Sequence, residues 1–280
     1  MPEVFEFEFM RRALIGGSMV AVLAPAFGLF IVLRRLSLIA DTLSHVALMG
    51  VAIGFVTSIY PTFVALIATT SSAAAIEQLR SRGRLPGDAA LAVFLYASLA
   101  IAVIVISRSS GFNADVFGYL FGSVLSIGDA DLFLIAGLLF VVILFVIAFY
   151  AELTQTAFDQ DLAHTSGVRV TATNLGLAIL TGATVTASMQ VVGVLMVGAL
   201  IVIPALAALR IARGFRTALI LSISFGLLSV WIGLIVAFYA DIAAGGSIVL
   251  TTVAMLIVAE STGRLRDLLE RVRASKSTAI

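Results

Sequence analysis

The chain alternates long apolar runs with short clusters of arginine, acidic residues, proline or glycine. Windows free or nearly free of charge fall at about 13–33, 36–60, 62–79, 89–107, 132–149, 174–209, 217–240 and 242–259. A helix crosses the bilayer hydrocarbon with about 20 apolar residues at about 1.5 Å each, so a window of this size predicts one span. The window 174–209 holds 36 residues, close to two spans, and is most polar at Ser188-Met189-Gln190, where it predicts a break. The pattern predicts eight or nine transmembrane helices, the third and sixth being the shortest. No window shows the strict alternation over about ten residues that a membrane β-barrel requires. The expected fold class is all-α: a polytopic helical bundle forming one transmembrane domain over residues 1–280.

Three stretches depart from this rhythm. Residues 113–127 are apolar but too short to cross, and predict an interfacial or re-entrant helix on the outer side. Residues 151–170 form the longest polar insert, with Glu152, Asp159, Asp161, His164 and Arg169, and predict an exposed segment open to a partner; within it Phe158 to Val168 is expected to be one short helix, with Phe158 and Leu162, four apart, on one face. The tail, 260–280, sets Leu265, Leu268, Leu269 and Val272 among charges and reads as a solvated amphipathic end.

Composition sharpens the class. With 61% hydrophobic residues, 12% charged residues and a mean hydropathy of +1.16, the chain is too apolar for a soluble domain. A net charge of +1 makes no case for nucleic acid. The absence of cysteine excludes disulfides, thiolate metal ligands and a cysteine nucleophile. Residues 1–9 carry Glu3, Glu6 and Glu8 and no basic start, unlike a cleavable signal peptide, so the first apolar segment is expected to be retained. Placing 34–35, 80–84, 150–173, 210–216 and the tail on one side gathers 14 of the 17 basic residues, leaving 3: Arg11, Arg12 and Arg108. Basic residues favour the cytoplasmic side, so the N-terminus is expected outside and the C-terminus inside, with Arg11 and Arg12 pulling against that assignment.

Candidate chemistry lies in the second apolar run. Asp41 and His45 are four apart and share one face of a helix. Ionisable groups inside a span are costly, and they usually face a bundle interior or an ion path. A carboxylate with an imidazole is also a ligand pair for a divalent transition metal. Two alternatives stand beside this reading: Asp41 as a helix cap, and His45 as a hydrogen-bonded packing residue. Two ligands do not complete a tetrahedral zinc site, which suits transport, because an ion held too tightly cannot leave. Further ligands would come from a second protomer, water or Ser44. The only lysine, Lys276, follows Ser275, so the chain has no P-loop, and with two histidines it has no His-Glu-x-x-His motif. An intramembrane enzyme using Asp41 and His45 as an acid–base pair is the rival reading; it lacks a nucleophile or a complete metal site.

The run Arg34-Arg35-Leu36-Ser37-Leu38-Ile39-Ala40-Asp41-Thr42-Leu43-Ser44-His45, followed by Gly50, resembles the signature of permease subunits of the zinc/manganese ABC importers. So do Tyr119-Leu120-Phe121-Gly122-Ser123-Val124-Leu125, Phe158-Asp159-Gln160-Asp161-Leu162-Ala163 with Gly167-Val168, Val191-Val192-Gly193-Val194-Leu195 leading to Ile203-Pro204-Ala205, and Tyr239-Ala240-Asp241 with Gly245-Gly246. The likeness covers about residues 10 to 260. It implies a type II ABC importer permease working by alternating access as a homodimer in the lipid of the cytoplasmic (inner) membrane. It also implies cytoplasmic P-loop ATPase subunits, an external metal-binding protein, and transported Zn2+ or Mn2+, zinc ahead of manganese, with no permanently bound cofactor. The implied metal residues are Asp41 and His45. The implied ATPase-docking residues are Phe158, Asp159, Asp161, Leu162 and Gly167. Gln160 stands where many relatives carry proline.

Overall fold

The computed structural model describes residues 6–83, 87–108, 114–122 and 128–277. All regular structure among them is helical: α1 (Glu8–Leu33), α2 (Leu38–Thr57), α3 (Pro61–Ser81), α4 (Gly87–Arg108), α5 (Ala114–Phe121), α6 (Asp129–Ala148), α7 (Tyr150–Phe158), α8 (Gln160–Thr165), α9 (Val170–Val192), α10 (Val197–Ile211), α11 (Phe215–Ala240) and α12 (Ala244–Ser277). Eight of these are long and apolar enough to cross a membrane, and α10 is a shorter apolar helix. At helical rise, its 15 residues reach about 22 Å, less than a bilayer core of about 30 Å.

Contacts between helix ends define two faces. On the first, Arg12 of α1 pairs with Glu8 at 2.8 Å and with Asp129 of α6 at 3.2 Å. That pairing neutralises one of the two arginines whose position opposed the expected orientation. On the second face, the ring of Phe215, at the start of α11, meets Phe30 of α1 at 5.2 Å, Tyr150 of α7 at 5.8 Å and Phe158 at 6.0 Å. Arg210, in the last turn of α10, pairs with Glu260 of α12 at 2.8 Å.

The double-length window breaks at Gly193–Met196 and not at Ser188-Met189-Gln190, so α9 is a full 23 residues and α10 is the short helix. The physical reason is where Gln190 points. Its amide donates to Asp131 at 2.8 Å and to Thr62 at 2.9 Å, so its polarity is satisfied without ending the helix. Gly193, at φ +90°, is what turns the chain. The third span, α3, also proves full length at 21 residues.

At the first face three glycine segments interlock. The Val194 amide donates to the Tyr119 carbonyl at 2.9 Å, and Leu195 donates to Leu120 at 3.3 Å. A side chain on Gly122 would stand 2.8 Å from the Val191 carbonyl oxygen, and one on Gly245 would stand 2.7 Å from that of Phe121. The clasp thus joins the α5 end, the α9–α10 turn and the α12 start, which are separate motifs in the sequence. The short helix expected within 113–127 appears as α5; residues 113 and 123–127 lie outside the described part.

Small residues also let α3 lie against its neighbours. Gly50 of α2 faces Ala65, Gly54 faces Pro61, and Gly182 of α9 lies against Thr69, whose carbonyl oxygen would sit 2.8 Å from an added Cβ. The Gly50/Gly54 spacing is therefore a packing device, and α3 becomes the common wall of α2 and α9. In contrast, α4 and α6 present large apolar side chains outward, with Tyr96 69% and Phe133 79% exposed.

Overpacking typically costs about 1–3 kcal/mol, and here the obstacle is backbone that cannot rotate away. Gly245→Ala should lower the thermal midpoint of the detergent-purified protein or abolish its recovery as a single species. Gly137→Ala, where no atom lies within 4 Å of the added carbon, should be neutral or slightly stabilising. Thermal scanning with size-exclusion chromatography of both variants checks the contrast.

Candidate functional site

Helix α2 is entered through a tight joint after α1. The Arg35 amide donates to Val32 at 3.0 Å and the Leu36 amide donates to Ile31 at 2.9 Å, with Arg35 at φ +57°. Ser37 occupies the N-cap and Leu38 is the first helical residue, so Asp41 sits in the first turn but not at the cap. Capping therefore does not account for Asp41; the partial positive charge of the helix N-terminus favours its carboxylate there.

His45 lies one turn further on the same face. Asp41 is exposed on the single chain, whereas His45 is half-buried. The Nδ1 atom of His45 is itself buried and has no hydrogen-bond partner among the described residues. Ser44 is 1% exposed, and its hydroxyl donates to the Ala40 carbonyl at 2.8 Å. Two ionisable groups thus stand on a helix that is otherwise apolar or hydroxylic. No group of three or more His, Cys, Asp or Glu gathers among the described residues, so this chain offers Asp41 and His45 as a pair and not as a closed cage.

Gly198, in α10, lies against the Asp41 backbone: an added Cβ would be 3.6 Å from the Asp41 nitrogen and 3.8 Å from its Cβ. Sequence reasoning did not find it, since among 23 glycines nothing marks one whose partner is 157 positions away.

The polar insert is two helices, not one. Asp159, extended at φ −152° and ψ 112°, ends α7 and caps α8, its carboxylate accepting from the amides of Asp161 at 2.9 Å and Leu162 at 3.0 Å. Phe158 and Leu162 are four apart but do not share a continuous helix, which corrects the single docking helix read from their spacing. Both are nonetheless displayed, at 66% and 64% exposure. Gln160 is the first residue of α8, a position that accepts proline equally well, so its departure from the common pattern costs little. Asp161 is exposed in the first turn of α8. Gly167, at φ +86°, turns the chain toward α9, and nothing crowds it. His164 is exposed. Beside the insert a cavity of about 620 Å³ opens, lined by Phe145, Phe149, Glu152, Gly167 and Arg169 among others.

A second polar cluster, on the first face, carried no mark in the sequence. Asp131, 5% exposed, accepts from the Tyr60 hydroxyl, from Gln190 at 2.8 Å and from the Gly128 amide at 3.0 Å. Burial, followed by the bond to Asp131, pushes the Tyr60 phenol up to about 12. The cluster pins the starts of α3 and α6 to the end of α9.

The sequence pattern of the ABC 3 transport family matches residues 6–262. The manganese import system permease protein ScaB of Streptococcus gordonii is 32% identical over 90% of this chain and 91% of its own length. The high-affinity zinc uptake system membrane protein ZnuB of Haemophilus influenzae is 31% identical over 90% of this chain and 97% of its own. Among solved structures, PsaBC from Streptococcus pneumoniae, in complex with a Fab, superposes with a TM-score of 0.82 at 30% identity, covering 91% of this chain and 92% of that one.

Ordinary van der Waals spacing at Gly198 tolerates a methyl group but not a branched chain. Gly198→Ala should leave the protein's function and stability near wild type. Gly198→Leu should push α2 off α10 and raise the accessibility of a cysteine placed at Asp41, read as a faster alkylation rate in the detergent-purified protein. An unchanged alkylation rate would show that α10 does not set the position of Asp41.

Proposed function

We propose a function that starts from one fact: the chain belongs to the ABC 3 transport family. It is a permease of the metal ABC transporter type, and in our reading it carries a divalent transition-metal ion across the cytoplasmic membrane by alternating access. The ion passes through Asp41 and His45. The observation that carries this reading is the buried, unpartnered Nδ1 of His45, one turn from Asp41 in a wall without other charges. A lone imidazole nitrogen is costly to bury unless something uses its lone pair or its proton. A passing cation does.

The exposed carboxylate of Asp41 supports the second half of the reading. On the single chain it faces outward, which leaves its remaining coordination to water or to a second copy of the chain. A pair of ligands that is completed only transiently favours release as well as capture. Zinc and manganese both suit a carboxylate–imidazole pair, and selection between them rests on geometry more than raw affinity. Relatives named for each ion are almost equally similar, at 32% and 31% identity.

Energy comes from outside the chain, which has no P-loop. Cytoplasmic P-loop ATPase subunits dock on the insert, where Phe158 and Leu162 are displayed and Asp159 fixes the start of α8. An external metal-binding protein delivers the ion to the first face. The cavity of about 390 Å³ lined there by Phe9, Gly122, Phe238 and Asp241, among others, lies beside the glycine clasp, where delivery would take place.

Asp41→Ala and His45→Ala should each lower uptake of radiolabelled zinc or manganese at least tenfold, at unchanged membrane abundance and ATPase recovery. Uptake at wild-type rates by both variants would remove Asp41 and His45 from the path.

A further inference from the structure

The second face contains a partly buried charge cluster, with Glu77 buried and Arg34 and Arg80 half-buried, that neither the ion path nor the docking segment uses. Glu77, 3% exposed near the end of α3, accepts from Arg80 through two bonds of 3.0 Å each. That pair is already complete. Arg34, directly after α1, nevertheless turns toward the same place. Arg34, Glu77 and Asn174 line one void of about 10 Å³, together with Leu36, Ile39 and Thr181. Three polar atoms here are buried and have no hydrogen-bond partner among the described residues: Nε and Nη2 of Arg34, and Oδ1 of Asn174. Two donors and an acceptor thus share a space large enough for a single water. Burial and the neighbouring Arg80 lower the Arg34 pKa to about 10, with Glu77 acting in the opposite direction.

One carboxylate with two guanidiniums is a poor way to secure a fold. A buried charge without its own partner costs free energy, and one arginine already neutralises Glu77. The arrangement has a different property: the carboxylate has two seats. The walls of the void belong to the elements that coupling must join. Asn174 and Thr181 lie on α9, which begins three residues after Gly167 of the insert. Ile39 lies in the first turn of α2, two residues before Asp41. Arg34 is tied to that turn by the tight joint at Arg35 and Leu36.

We propose that Arg34 is a coupling residue that offers Glu77 a second seat, so that exchange of Glu77 from Arg80 to Arg34 passes a shift of α9 on to the metal helix α2. The inference rests on the permease reading above. When α9 moves with the insert, Asn174 moves relative to Arg34, the void changes shape, and the guanidinium swings to the carboxylate. Arg34 cannot make that swing without drawing Leu36 and the start of α2 with it. Asp41 and His45 then change their exposure to the two sides of the membrane. Arg34 touches no ion in this scheme and acts by position alone.

The test uses the tagged permease with the ATPase that copurifies with it, reconstituted in proteoliposomes with the external metal-binding protein added, and reads zinc or manganese moved per ATP hydrolysed. Arg34→Met should keep ATP hydrolysis within about twofold of wild type while ions moved per ATP fall at least tenfold. Arg34→Lys, which preserves the charge, should restore coupling to within about threefold, which a purely structural role for the guanidinium fork would not predict. Should Arg34→Met fail to reach the membrane, Asn174→Leu, nearly the same in volume and without charge, should show the same loss. Wild-type ions per ATP in Arg34→Met, or in Asn174→Leu in its place, overturn the proposal while leaving the permease reading standing. Proteoliposomes of the wild-type complex that move no metal at all overturn both.

Discussion

In a bilayer an apolar side chain gains little by leaving lipid for another helix, so helices are held by close approach and by polar contacts between them. The whole arrangement depends on that constraint at one place, the contact of α3 with α2 on one side and α9 on the other. Gly50, Gly54 and Gly182 let these backbones meet at distances that a side chain would forbid. In mid-span, the Thr69 and Thr186 hydroxyls bond at 2.8 Å, a polar link across an otherwise apolar contact. Helix α2 carries Asp41 and His45, and α9 continues from the polar insert. Their common wall therefore ties the helix of the Asp41/His45 pair to the helix that leaves the insert.

The ends of that wall are held differently from its middle. At the first face the Asp131 carboxylate gathers Tyr60, Gln190 and the Gly128 amide, a satisfied cluster that leaves none of these groups searching for a partner. At the second face, the Arg34 cluster leaves three polar atoms without a partner among the described residues. A satisfied network rigidifies, and a partly satisfied one is open to rearrangement. The asymmetry places the stiff end at the clasp of Gly122, Gly193 and Gly245, and the adaptable end beside the insert.

Apolar run length was enough to find the spans, because the cost of burying charge in hydrocarbon writes them into the sequence. The Asp41/His45 pair was equally legible, since two ionisable groups four apart in an apolar run stand out without any fold. What the sequence hid was every feature that depends on a distant partner. Gln190 reads as a helix end until Asp131 is seen to accept its amide. Phe158 and Leu162 read as one helix face until Asp159 is seen to cap the next helix. Gly198 has no meaning without Asp41 beside it. Arg34 belonged to a recognisable motif, but its cavity is closed by residues of α1, α3 and α9 that the motif does not contain.

The imidazole of His45 as a ligand of the passing ion is the point on which all of this turns. Manganese offers a direct view of it, since its unpaired electrons couple to the nitrogen of a bound imidazole. Pulsed electron paramagnetic resonance of the purified permease with Mn2+ should show coupling to a nitrogen nucleus that disappears in His45→Ala. Manganese bound at the Asp41 carboxylate with no nitrogen coupling, in a spectrum that His45→Ala leaves unchanged, would contradict it.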